Sequence, residues 1–115
     1  MNETVLQVIN IIGDSYAVEA DEGEKVFKQI VTAIDLERQV NLSFQNIEMV
    51  TTAFLNSAVG QLYDKYSEEK VRENFKVSNT TNSINIALKR VVKTAKLHYK
   101  DPEALKRSID DIMNE

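Results

Sequence analysis

A chain of 115 residues, 43% hydrophobic and 28% charged, fits one globular domain and is too short for two well-cored ones. It has no cysteine and a single histidine, His98, which excludes disulfides, thiolate metal sites, thiol nucleophiles and paired-histidine mechanisms. The net charge of −4 argues against a general nucleic-acid binder, no apolar run reaches the ~18 residues of a membrane span, and no signal segment is written at Met1, so a soluble cytoplasmic protein is expected.

Residues 4–12 (TVLQVINII) are rich in Val and Ile and predict a strand. Gly13-Asp14 is a turn signal, and Tyr16-Ala17-Val18 predicts a short returning strand. Asp21 or a neighbour should cap the next helix, where Val26, Phe27, Ile30, Val31 and Ile34 recur at helical spacing. Residues 39–44 (QVNLSF) predict a second strong strand, with Val40, Leu42 and Phe44 on one face. A second helix follows from about Thr51, its stripe formed by Leu55, Ala58, Val59, Leu62 and Tyr66. Its interior Gly60 costs about 1 kcal/mol relative to alanine, which predicts close packing there. The charged run 67–73 ends this unit, and residues 75–78 predict a third main strand. Thr81 or Asn82 should cap a long helix lined by Ile84, Leu88, Val91 and Ala95. Asp101-Pro102 opens a last helix with Leu105, Ile109, Ile112 and Met113 on one stripe.

Strands alternating with helices predict an α/β fold: a small mixed sheet of about four strands with parallel crossovers, packed by about four helices. A single domain is expected over 1–115, with the helix 102–115 peripheral; that stripe leaves packing in cis and self-association both open.

Three well-separated glycines, Gly13, Gly23 and Gly60, cannot write a phosphate loop or a dinucleotide fingerprint. No nucleophile–base pair is evident, and His98, near a helix end, reads as a half-buried side chain or one that helps the helix C-terminus rather than as a catalytic base. Carboxylate clusters fall in helix first turns and exposed runs. No metal, cofactor or enzymatic activity is therefore expected.

The segment that stands out is Val50-Thr51-Thr52-Ala53-Phe54-Leu55, at a strand-to-helix turn on the edge where open α/β sheets meet ligands and partners. Either threonine can cap the helix. A hydroxyl left exposed there is also a modification site, because a phosphate adds about −1.5 to −2 charge. Residues 40–66 (VNLSFQNIEMVTTAFLNSAVGQLYDKY) resemble the central unit of STAS domains, the fold of anti-sigma-factor antagonists, and are closest to a bacterial STAS-like family that places a small hydroxyl residue and then Phe at this turn. The resemblance implies a non-enzymatic regulatory module that binds a protein partner, a GHKL-type ATPase and serine kinase in phosphorylated antagonists. It puts the phosphorylated hydroxyl on Thr52, with Thr51 replacing the family's aspartate, Ala53 its second serine and Phe54 its glycine. The contact surface it implies is Thr51, Thr52, Phe54, Leu55, Asn56 and Val59, with an exposed Phe54 as apolar anchor.

A second reading uses the basic stretch Lys89, Arg90, Lys93, Lys96 and Lys100, which contrasts with residues 1–24, where no basic residue occurs. It would make the protein a nucleic-acid or phospholigand accessory, though without interleaved aromatics for base stacking.

Overall fold

The computed structural model describes residues 3–100. The C-terminal helix expected over 102–115 lies outside the described residues.

The first strand is shorter than its composition suggests. β1 spans Glu3–Gln7, and the chain then turns into a short helix, α1, Val8–Ile12. Val8 is buried, while Ile9, Ile11 and Ile12 pack against the core. Spacings of three and four gather these side chains on one helical face, whereas a strand would send alternate ones to the solvent. Burial thus overrides β propensity here. Gly13, at φ 72, closes α1 by donating its N–H to the Ile9 carbonyl at 2.8 Å.

β2 (Tyr16–Ala17) leads into α2 (Ala20–Asp35). Asp21 and Glu22 lie in the first turn of α2, where the dipole favours acids. The capping position is Glu19, not Asp21, and its side chain makes no cap hydrogen bond. Gly23, Val26, Ile30, Ala33 and Ile34 form the buried stripe. β3 (Gln39–Ser43) and β5 (Phe75–Ser78) complete the main sheet, which has the order β1-β3-β5. Both pairings are parallel, with Leu6 opposite Leu42 and Leu42 opposite Val77. That row and Val40 face the core. On the other face, Ser78 Oγ donates to Asn41 Oδ1 at 2.7 Å, and Lys76 pairs with Glu3 at 3.1 Å.

β4 (Met49–Val50) does not join this sheet. It pairs in parallel with β2, Tyr16 opposite Met49 and Ala17 opposite Val50. Five strands in two sheets, every described pairing parallel, therefore replace the single mixed sheet of about four strands expected from alternation alone. The division arises at Phe44–Ile47, where a turn closed by the Ile47 N–H on the Phe44 carbonyl carries the chain off the end of β3.

The second long helix is built in pieces: α3 (Thr52–Leu55), a π-helical turn (Asn56–Gly60) and α4 (Leu62–Lys65). The Gln61 N–H reaches the Asn56 carbonyl at 3.2 Å, the five-residue bond that defines the π turn. The charged run after it is a helix of its own, α5 (Glu68–Asn74), capped by Ser67 Oγ accepting from Lys70 N and anchored by buried Val71. α6 (Asn82–Lys100) starts as expected, with Thr81 Oγ1 accepting from Ile84 N, and buries Ile84, Leu88, Val91 and Ala95.

α2 and the segment 52–66 are clasped along their length. A Cβ on Gly23 would collide with the Phe54 carbonyl oxygen and would lie 2.8 Å from Ser57 Cβ and 3.2 Å from Ala58 N. Beside it Gln61 Nε2 donates to Glu24 Oε2 at 2.7 Å. At the far end the Tyr66 hydroxyl donates to Asp35 Oδ1 at 2.6 Å, and burial together with that carboxylate holds the hydroxyl well above the ordinary tyrosine range.

Gly60 behaves differently from the sequence expectation. A methyl there would sit 3.6 Å from Val91 Cγ1 and 3.9 Å from Ala95 Cβ, which is ordinary contact. Gly23, not Gly60, is the glycine of close approach. Gly23→Ala should therefore lower stability by about 3 kcal/mol, because backbone atoms must move. Gly60→Ala should leave it unchanged or raise it by up to about 1 kcal/mol. Urea denaturation midpoints of the two variants decide the ranking.

Candidate functional site

The site is assembled where β3 ends. Buried Ser43 Oγ accepts from Gln45 N at 3.3 Å and from Asn79 Nδ2 at 2.9 Å, tying the loops after β3 and β5 together. Asn46 and Asn79 adopt left-handed backbone, φ 64 and 55, which asparagine tolerates better than most residues. Buried Phe44 and Ile47 hold the loop down. Glu48 N then donates to the Ser15 carbonyl at 2.8 Å, and Ser15 Oγ reaches Glu48 Oε2 at 3.2 Å, which sets the register of β4 on β2.

The two threonines divide the work of the turn. Thr51 N donates to the Ala17 carbonyl at 3.1 Å. Its Oγ1 donates to the Val18 carbonyl at 2.6 Å and accepts from Phe54 N at 3.1 Å. Thr51 is thus both the cap of α3 and a strut to the strand before α2, with its hydroxyl proton engaged. Thr52, one residue on, is exposed, and its hydroxyl has no hydrogen-bond partner among the described residues. Ala53 and Asn56 are exposed beside it.

The other expected contact residues are not on this surface. Phe54, Leu55 and Val59 are each 0% exposed. The Phe54 carbonyl meets Gly23 and its ring lies in the core, so the exposed apolar anchor assigned to Phe54 is corrected. The reason is that this segment is enclosed by α2 on one side and α6 on the other.

Exposed apolar surface instead comes from residues the sequence reading passed over. Tyr16 is 51% and Met49 47% exposed, and they are direct partners across the β2–β4 pair, just before the Thr51 turn. The available signal was a bulky residue in each short segment, but only their pairing makes a patch. Next to them is a recess of about 590 Å³ whose wall includes Ser15, Asn46, Glu48, Asn79 and Thr81, at the carboxyl ends of β3 and β5.

The basic stretch lies on α6, with Lys89, Arg90 and Lys93 exposed. Lys96 is engaged: its Nζ is 3.0 Å from Glu68 Oε1 and 5.8 Å from the centre of the Tyr63 ring. Burial keeps the Tyr63 hydroxyl above its ordinary value, with the Lys96 charge opposing it. The side chain of Lys100 lies outside the described residues. His98 is exposed rather than half-buried. Among the described residues no group of three or more His, Asp or Glu could hold a metal ion, and no helix is long and apolar enough to cross a membrane.

A family model described as a STAS-like domain of unknown function (DUF4325) matches residues 22–85, more than half of the chain, from the first turn of α2 to the first turn of α6. Comparisons with curated proteins and with solved structures matched nothing.

The unequal roles of the two threonines have a direct consequence. Thr51→Ala should lower stability by about 1–2 kcal/mol through loss of cap and strut, and Thr51→Ser should restore most of it. Thr52→Ala should stay within about 0.5 kcal/mol of the parent. Thermal unfolding of the three variants measures the difference.

Proposed function

The chain belongs to the STAS-like family, and on that premise we propose that it is a non-enzymatic, cytoplasmic regulatory module that binds a protein partner through the face around Thr52. The observation that carries this reading is the exposed Thr52 hydroxyl beside a Thr51 whose own hydroxyl is committed to the fold. In this reading the docking face consists of Thr52, Ala53 and Asn56 with the Tyr16–Met49 pair as its apolar anchor. Aromatic and methionine side chains are enriched in the cores of protein interfaces, and a tyrosine contributes large area at little entropic cost.

The same face accounts for a switch. Phosphorylation of Thr52 would add about −1.5 to −2 charge to a surface that already carries Glu48. Burying that dianion against the exposed Tyr16 and Met49 would cost desolvation energy, so the modified form would release its partner. The family resemblance points to an ATPase of the GHKL type, acting as a serine kinase, as that partner.

The test begins with recovery of the partner from the native host, with mass spectrometry of both the partner and the peptide carrying Thr51 and Thr52. Against that partner, Thr52→Glu should weaken binding by about tenfold or more, while Thr52→Ala should not. Tyr16→Ala and Met49→Ala should each cost more than about 1 kcal/mol of binding. Equal affinities for Thr52→Glu and Thr52→Ala would remove the switch, and indifference to Tyr16→Ala and Met49→Ala would remove this face as the docking site.

A further inference from the structure

We propose that the groove between β5 and α6 is a second docking site, separate from the Thr52 face, for an acidic amphipathic helix of another protein. β5 is an edge strand of the main sheet. α6 packs on the π turn, α3 and α4, which leaves a trough between it and β5. The trough holds about 480 Å³. Its apolar lining is Val77 from β5 with Leu88 and Val92 from α6, and its basic lining is Lys89, Lys93 and Lys96.

Charge identifies the occupant. Lys96 has Glu68 as its partner, whereas Lys89 and Lys93 meet no carboxylate among the described residues. In a chain of net charge −4, a row of lysines beside open apolar surface is a local exception. Spacings of four and three put the row along one side of the helix, and the trough runs from Asn85 to Lys96, about 16 Å. That is the length of three turns of a partner helix. A helix with an apolar stripe bordered by glutamates or aspartates matches the trough, its stripe on Val77 and Val92 and its acids on Lys89 and Lys93.

Two other polyanions fit less well. A nucleic-acid backbone gains nothing from an apolar floor, and no aromatic ring lines the trough for base stacking. A membrane surface is met by protruding apolar side chains, whereas Leu88 lies buried at the base of this concave surface.

The experiment uses the full chain and a fluorescein-labelled synthetic 14-residue peptide with a leucine stripe flanked by glutamates, followed by fluorescence polarisation. A peptide of the same composition in scrambled order is the sequence control. The double variant Lys89→Glu/Lys93→Glu is compared with Lys25→Glu/Lys28→Glu, two exposed positions of α2 that change the net charge equally. The expected result is saturable binding of the ordered peptide, weakened at least about tenfold by the α6 variant, little changed by the α2 variant, and reduced by salt. No saturable binding overturns the proposal, including the case in which the chain's own residues 101–115 occupy the trough. So does equal binding of the scrambled peptide, an equal effect of both variants, or preference for a DNA duplex or for phosphatidylglycerol vesicles over the peptide. The readout does not involve Thr52, so this proposal and the reading of the Thr52 face stand or fall separately.

Discussion

The approach of α2 to the backbone of Phe54–Ala58 at Gly23 is the constraint on which the rest of the arrangement depends. No side chain fits between the two segments, so they meet backbone to backbone. That closeness buries Phe54, Leu55, Ala58 and Val59 completely and brings Gln61 within reach of Glu24. It also brings the chain before α2 close enough for Thr51 to bond the Val18 carbonyl. A bulkier residue at position 23 would push the turn away from the strand pair that supports it. The geometry of the Thr52 face is thus set by a glycine about thirty residues earlier in the chain.

Two adjacent threonines with nearly the same local sequence context end up in different physical situations. Thr51 is in extended backbone at the cap position, where its oxygen faces the N–H groups of the first turn. Thr52 has already entered the helix, and its side chain projects outward. One hydroxyl is consumed in holding the fold and the other remains chemically accessible. Such a division leaves the cap that shapes the surface independent of the Thr52 hydroxyl.

The main sheet explains why two separate surfaces are available. Parallel sheets are commonly covered on both faces. Here the face opposite the core carries the Ser78–Asn41 and Glu3–Lys76 pairs, with Val5 56% exposed beside Asn41. The connecting segments concentrate on the apolar face, where α2 and the segment 52–66 pack tightly and α6 sits further out. That spacing leaves the trough beside β5 on one side and the β2–β4 pair exposed on another.

The sequence alone determined the features that depend on local periodicity and local chemistry. The stripes of α2 and α6, the alternation of β3, the Thr81 cap and the family resemblance across residues 40–66 are all properties of neighbours a few positions apart. Periodicity tells which side chains share a face but not what meets that face. Whether Val8–Ile12 extends as a strand or coils as a helix was decided by the core it enters. Whether Phe54 anchors a partner or fills the interior was decided by the enclosure of its segment between α2 and α6. Which glycine permits close packing depended on contacts across more than thirty residues. The Tyr16–Met49 patch arises from two-residue strands too short to leave a pattern, so only their pairing in three dimensions creates it.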